Sequence, residues 1–228
     1  MRKVLCLVVM ICYSFPVCGQ QEEKKEDLKY LEDQFYMGFT YNFLLDKPAA
    51  IRQQNLSYGL QLGFIRDLPI NQRRTLALGI GVGYGVNSYD SNLLVTKQDN
   101  SLEYSILPED LDVKRNKLET HLLEVPLEFR WRNSSPTEYK FWRFYAGMKL
   151  GYVFSGRSKQ VSNSDKESFT NTDIERFQYG LMANIGYNTF NIHIYYALNN
   201  LFKDGRTLNT GEDLTFTPLR VGLIFYIL

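Results

Sequence analysis

Beyond residue 19 the chain has no cysteine, because Cys6, Cys12 and Cys18 all precede that point. Once that stretch is removed, disulfides, thiolate catalysis and cysteine-ligated metals drop out of consideration. Histidine is almost as scarce: His121 and His193 are the only two, with opposite strand parity and outside any metal-ligand motif. Charge of one sign is lacking too. The 26 basic residues nearly balance 25 acidic ones, so no overall field recruits nucleic acid. The apolar run at 4–12 (VLCLVVMIC) is too short to cross a bilayer as a helix. A composition 44% hydrophobic and 22% charged excludes a disordered chain and a polytopic helical membrane protein.

What is plentiful is Tyr (16), Phe (15) and Gly (16), a mixture that leans to all-β structure. Arg2 and Lys3 before the apolar run, with Val17 and Gly19 as small residues before a cleavage point, predict a secretory signal over 1–19 and a mature start at Gln20. The alternative is lipoprotein processing before Cys18, against which Phe15 and Val17 occupy the lipobox positions. Residues 20–33 form a charged segment with few aromatics, assigned to the periplasm, and 34–228 form the folded domain.

Within 34–228 the apolar residues recur with a period of two, the signature of strands with one greasy face. Eight segments show it, at about 35–45, 56–64, 76–87, 123–131, 142–154, 176–187, 190–198 and 219–227. In the third, Leu76, Leu78, Ile80, Val82, Tyr84 and Val86 alternate with Ala77, Gly79, Gly81, Gly83, Gly85 and Asn87. A soluble barrel also alternates, but it turns its apolar face inward. Here twelve strand glycines share the polar face, as suits a tight lumen rather than a wetted exterior. Glu124, Glu128, Arg130, Arg143, Lys149, Arg176 and Arg220 lie on that same face. An Arg or Lys facing lipid at mid-bilayer costs about 2–4 kcal/mol, so the opposite, charge-free face is the one suited to acyl chains. The expected fold is therefore an all-β, eight-stranded antiparallel transmembrane barrel of outer-membrane type.

Connection lengths agree. Those at 46–54, 88–116, 156–172 and 199–213 fall at one end, and the shorter 66–73, 132–139 and 188–189 at the other, as for long extracellular loops and short periplasmic turns. An even strand number returns both termini to the periplasm. Trp131, Trp142, Tyr187 and Phe190 gather near one set of strand ends as an aromatic girdle. Arg220, Gly222, Phe225 and Ile227 have the spacing of a C-terminal barrel-assembly signal, an ordinary final strand being the other reading.

Little chemistry is on offer. Two-residue alternation puts Thr120 and Glu124 on the face opposite His121, so no catalytic grouping forms there. The run GIGVGYG at 79–85 alternates strictly and precedes no helix, which makes it a strand rather than a phosphate loop. No enzyme activity, cofactor or metal is expected. The inward charges predict a lumen plugged by paired side chains, with Tyr145, Tyr195 and Tyr226 opposite the glycine-rich strand; an open pore is the alternative. Function then falls to loops, rim or partners. In the 88–116 connection, Asp90, Asp99, Glu103, Glu109, Asp110 and Asp112 outnumber Lys97, Lys114 and Arg115, which fits either a docking surface or a solvated loop. Outer-membrane lipid and the barrel assembly machinery are the expected partners, and nucleic acid is not.

The stretches 120–134 (THLLEVPLEFRWRNS), 139–154 (YKFWRFYAGMKLGYVF), FQYG at 177–180, GYNTFN at 186–191 and the ending GLIFYIL together resemble the PorT family of outer-membrane β-barrel proteins. The likeness runs from about Phe35 to the C-terminus. It implies a non-enzymatic outer-membrane component of type IX protein secretion and gliding motility, with other secretion components as partners. A small barrel for adhesion or envelope integrity is the runner-up. No catalytic residue carries over.

Overall fold

The computed structural model describes residues 33–98, 101–108, 111, 113–133, 142–163, 165–187 and 190–227. The expected signal (1–19), nearly all of the charged segment after it, most of the connection expected at 132–139 and the one expected at 188–189 lie outside the described residues. Among the described residues eleven strands occur in chain order: β1 (Asp33–Leu45), β2 (Tyr58–Pro69), β3 (Leu76–Asp90), β4 (Leu93–Gln98), β5 (Ser101–Ile106), β6 (Val113–Arg132), β7 (Trp142–Ser162), β8 (Lys166–Thr170), β9 (Phe177–Tyr187), β10 (Phe190–Ala197) and β11 (Thr217–Ile227). Eight of them pair in the ring order β6-β3-β2-β1-β11-β10-β9-β7, and β6 pairs with β7 to close it. Every pairing is antiparallel. The fold is the expected all-β, eight-stranded antiparallel barrel.

Alternation sets which way each side chain faces. On β1, Phe35 is 63% exposed whereas its neighbour Gln34 is fully buried, and the pattern continues to Phe43 and Leu44. The same inversion holds on β6, where Leu123, Leu127, Phe129 and Trp131 are exposed and Glu124, Glu128 and Arg130 are buried. A soluble barrel would have these faces exchanged. An apolar belt around the whole cylinder, with ionised groups at its centre, is stable only when hydrocarbon covers the belt.

Two strands outgrow the belt. β6 has 20 residues and β7 has 21, roughly 65 Å of chain at about 3.3 Å per residue. Even tilted, that exceeds an apolar band about 25 Å tall. The excess projects at the end bearing the long connections, and there the outward face of β6 changes from Leu123 to His121, Glu119 and Lys117. A register shift at His121/Leu122, paired with Ser155 and Val153, leaves Phe154 as an extra residue. This bulge moves the inward-facing positions of β7 from odd (Lys149, Val153) to even (Gly156, Ser158).

The long connections are not open loops. The segment expected as a single 88–116 connection holds the end of β3, the β4–β5 hairpin and the start of β6. The 156–172 segment likewise holds the end of β7 and β8, which pair from Arg157↔Thr170 to Val161↔Lys166. These pieces fold over the barrel mouth around an apolar core that includes Leu44, Ile51, Leu93, Val95, Tyr104, Ile174, Leu201, Phe202, Leu208, Leu214 and Phe216. Tyr104 ties the cap together, donating from its hydroxyl to Asn171 Oδ1 (3.2 Å) and Asp173 Oδ2 (3.0 Å). Asn209 N–H donates to the Tyr104 carbonyl at 2.8 Å.

Candidate functional site

The lumen charges form two clusters. At the short-turn end, Arg130 of β6 crosses β3 to reach Asp67 of β2 in a short ion pair, while its Nε donates to Glu128 Oε2 at 2.8 Å. Gly79 lies between Asp67 and Glu128 in the pairing register, and a Cβ there would meet Arg130 Cδ at 2.9 Å. The missing side chain is what opens the route across β3. Arg132 Nη1 donates to the other Asp67 oxygen at 2.8 Å, and Arg130 Nη1 donates to Gln34 Oε1 at 3.1 Å. The Arg130 guanidinium also lies 4.2 Å from the ring centre of Tyr145 and 4.9 Å from that of Tyr226.

Nearer the long-loop end, Glu124 accepts from Arg220 Nη1 at 3.1 Å and pairs with Lys149 Nζ at 3.3 Å. Lys149 also donates to Gln61 Oε1 in a short hydrogen bond, and Arg220 stacks 4.1 Å from the Tyr195 ring centre. A chain of polar groups extends beside them. Asn184 Oδ1 meets His193 Nδ1 at 2.5 Å, its Nδ2 donates to Tyr226 Oη at 3.0 Å, and Tyr226 donates weakly to Glu128 at 3.5 Å. Arg130, Asp67, Tyr145 and Tyr195 have at most 1% exposure, so bulk solvent does not reach them. Breaking such a pair by removing one partner costs about 3–5 kcal/mol, because the other charge stays buried without compensation.

Of the seven charges expected in the lumen, Glu124, Glu128, Arg130, Arg143, Lys149 and Arg220 are buried inside. Arg176 is not: it sits in a bend one residue before β9 and is exposed, so parity was carried past the point where the ladder begins. The expectation for the tyrosines also needs correction. The ring against the glycine-rich β3 is Tyr36, which lies where a side chain on Gly63 or Gly83 would stand; Tyr195 lies against Gly180. Asp67, Arg132, Gln34 and Gln61 join the network without having been expected. Asp67 and Arg132 do continue the inward parity of β2 and β6, a signal masked by their nearness to turns.

Trp131, Trp142, Tyr187 and Phe190 all point outward at the short-turn end. Trp142 and Tyr187 rings are 5.3 Å apart, and Phe190 meets Phe225 at 5.7 Å. In the last strand, Arg220 is in the lumen, Gly222 packs against the Phe39 carbonyl of β1, and Ile227 pairs with Phe35. His121 is outside the lumen, its Nδ1 2.6 Å from Tyr84 Oη and its Nε2 3.2 Å from Glu119. Thr120 and Glu124 face inward, away from it. Among the described residues no three His, Cys, Asp or Glu side chains are grouped to hold a metal.

Comparison with known proteins places these features. No curated protein matches the chain. Among solved structures, the chain is similar to Ail, the attachment invasion locus protein of Yersinia pestis, at 12% identity and a TM-score of 0.34, over 86% of this chain and 97% of that one. A mutant porin of Rh. blastica is similar at 8% identity and a TM-score of 0.22, over 87% of this chain and 100% of the porin. The profile of the outer membrane protein beta-barrel domain matches residues 19–203. With that match over most of its length, an apolar belt outside a closed eight-stranded ring and ion pairs within, the chain belongs to the outer membrane protein beta-barrel domain family.

Proposed function

We propose that this outer-membrane barrel neither conducts nor catalyses, and that it supports type IX protein secretion and gliding motility through its capped end and its partners. The observation that carries the closed state is the burial of Asp67, Glu128, Arg130, Tyr145 and Tyr226 across the lumen, where Arg130 pairs with both carboxylates and stacks against both rings. A side-chain-filled interior suits an eight-stranded cylinder, which is just wide enough for the chains it contains. The secretion role is supported by the likeness to PorT in 120–134 and 139–154, stretches that include parts of β6 and β7, the two longest strands. The termini are assigned to the periplasm, the girdle Trp131, Trp142, Tyr187 and Phe190 to that interface, and Arg220, Gly222, Phe225 and Ile227 to recognition by the assembly machinery.

Two experiments test the reading. Purified protein in planar bilayers is expected to give no steady conductance, and steady channels would overturn the plug. A deletion strain is expected to lose spreading and to retain cargo that is normally secreted. Normal secretion with altered adhesion would assign the barrel to adhesion or envelope integrity instead.

A further inference from the structure

The outward surface of β6, β7 and β8 just above the apolar belt concentrates positive charge. Register brings Lys117 opposite Lys159, Glu119 opposite Arg157, and Arg115 and Lys166 onto the same row through Val161. Arg115, Arg157 and Lys166 are exposed, and Lys117 and Lys159 are half-buried. Among the described residues, two carboxylates on this face oppose these five cations. Glu119 accepts from Lys159 at 2.5 Å and lies 3.6 Å from Lys117, and Asp90 is buried under Asn55, which donates to it at 3.1 Å. Glu167 pairs with Gln160 in the register and belongs to the other face of the sheet. Like charges directly opposite on neighbouring strands destabilise a sheet unless an anion lies between them. Glu119 and Asp90 supply two anions, and among the described residues of this face three positive charges remain unmatched.

Directly beneath this row the belt ends in a platform of rings. Tyr84, His121 and Phe154 have mutual centroid distances of 6.0, 6.1 and 6.2 Å, and Leu123 and Tyr152 continue the surface downward. Rings at this depth mark the boundary between acyl chains and head groups. The surface is thus layered as a lipid is, apolar below, aromatic at the boundary and cationic above, on the one flank where the wall rises well past the bilayer.

We infer that the β6–β7–β8 flank is a docking site for a lipid whose head group carries phosphate, in the leaflet that borders the long-loop end. The acyl chains lie on Leu123, Tyr152 and Phe154, and the phosphate is held by Lys117, Lys159 and Arg157. Arg115 and Lys166 add long-range attraction. This rests on the barrel standing in a bilayer and is independent of any role in secretion.

The test uses the full mature barrel reconstituted in neutral phosphatidylcholine vesicles doped with bis-phosphorylated lipid A, or with the same glycolipid after phosphate removal. Retained glycolipid is counted by native mass spectrometry after detergent extraction, and folding is checked by gel mobility before and after heating. The phosphorylated form is expected to be retained selectively, and retention should fall as salt rises. The triple variant Lys117→Gln/Arg157→Gln/Lys159→Gln should lose about fivefold in affinity per cation removed, roughly a hundredfold in all. The charge-preserving Lys117→Arg/Arg157→Lys/Lys159→Arg should retain binding, as should Lys97→Gln/Lys203→Gln at the same end of the molecule. Equal retention of the two glycolipids, a folded triple variant that binds as the parent does, or equal loss in the Lys97/Lys203 control would overturn the assignment.

Discussion

Replacing Arg130 by Met is the most direct probe of the sealed lumen. Met keeps much of the volume and removes the charge that joins Asp67, Glu128 and Gln34. Asp67 still has Arg132 at 2.8 Å, but Glu128 keeps only the long contact from Tyr226 at 3.5 Å. A buried carboxylate left in that state sets the expected cost at about 3–5 kcal/mol, a few hundred- to a few thousand-fold in the folding equilibrium. Adding Glu128→Gln to Arg130→Met removes the stranded charge and should restore most of the loss. Recovery falls short of complete because the stacking on Tyr145 and Tyr226 is also gone, worth up to about 2 kcal/mol where water is excluded. The measurement is urea unfolding in vesicles, followed by fluorescence of Trp131 and Trp142, the only two tryptophans, both on the outer wall. If Arg130→Met costs under about 1 kcal/mol, or if Glu128→Gln brings no recovery, water solvates these carboxylates and the plugged lumen is wrong.

Three further outcomes follow from the geometry. Gly83→Ala drives its new methyl into the Tyr36 hydroxyl, so a loss of about 1–3 kcal/mol is expected, and Tyr36→Phe in the same chain should relieve part of it; both are read in the same urea titration. Tyr104→Phe removes the hydroxyl shared by Asn171 and Asp173 at a cost of about 1 kcal/mol, and limited proteolysis should show faster cleavage in the β4–β5 hairpin while the barrel's unfolding midpoint is unchanged. Burial alone would raise the Glu119 carboxyl, but the hydrogen bonds from Lys159 and His121 and the charges of Lys159 and Lys117 hold it below its ordinary 4.5. Its contribution is therefore present above pH about 4.5 and lost as acidification passes through the lowered folded value. Hydrogen exchange across the top of β6 and β7 should increase over that range, and Glu119→Gln should flatten the dependence.

Particular residues show where reading the chain succeeds. The inward burial of Glu124, Glu128, Arg130, Lys149 and Arg220 follows from strand parity, because successive side chains on an extended backbone must point to opposite faces. The rule fails at its edges. Arg176 obeys the parity of β9 but precedes the ladder, so nothing holds it to the lumen; Asp67 obeys the parity of β2 but lies beside the Leu68–Pro69 stretch that reads as a turn. The cap left still less trace. Leu93, Val95, Tyr104, Leu208, Leu214 and Phe216 come from separate stretches without a common period, and their apolar character has meaning only when the stretches meet.

By itself the sequence determined the eight strands, the outward side of each and most of the charges turned inward, since all three depend on a two-residue period that each segment carries alone. Which charges meet was decided by tertiary structure. Arg130 finds Asp67, 63 positions away, because the strand order β6-β3-β2 puts β2 two strands from β6 and Gly79 leaves the intervening wall bare. The bulge at Phe154, the folded cap and the cationic flank likewise exist only once strands of unequal length are set side by side, because register between strands is a property of the pair and of neither member alone.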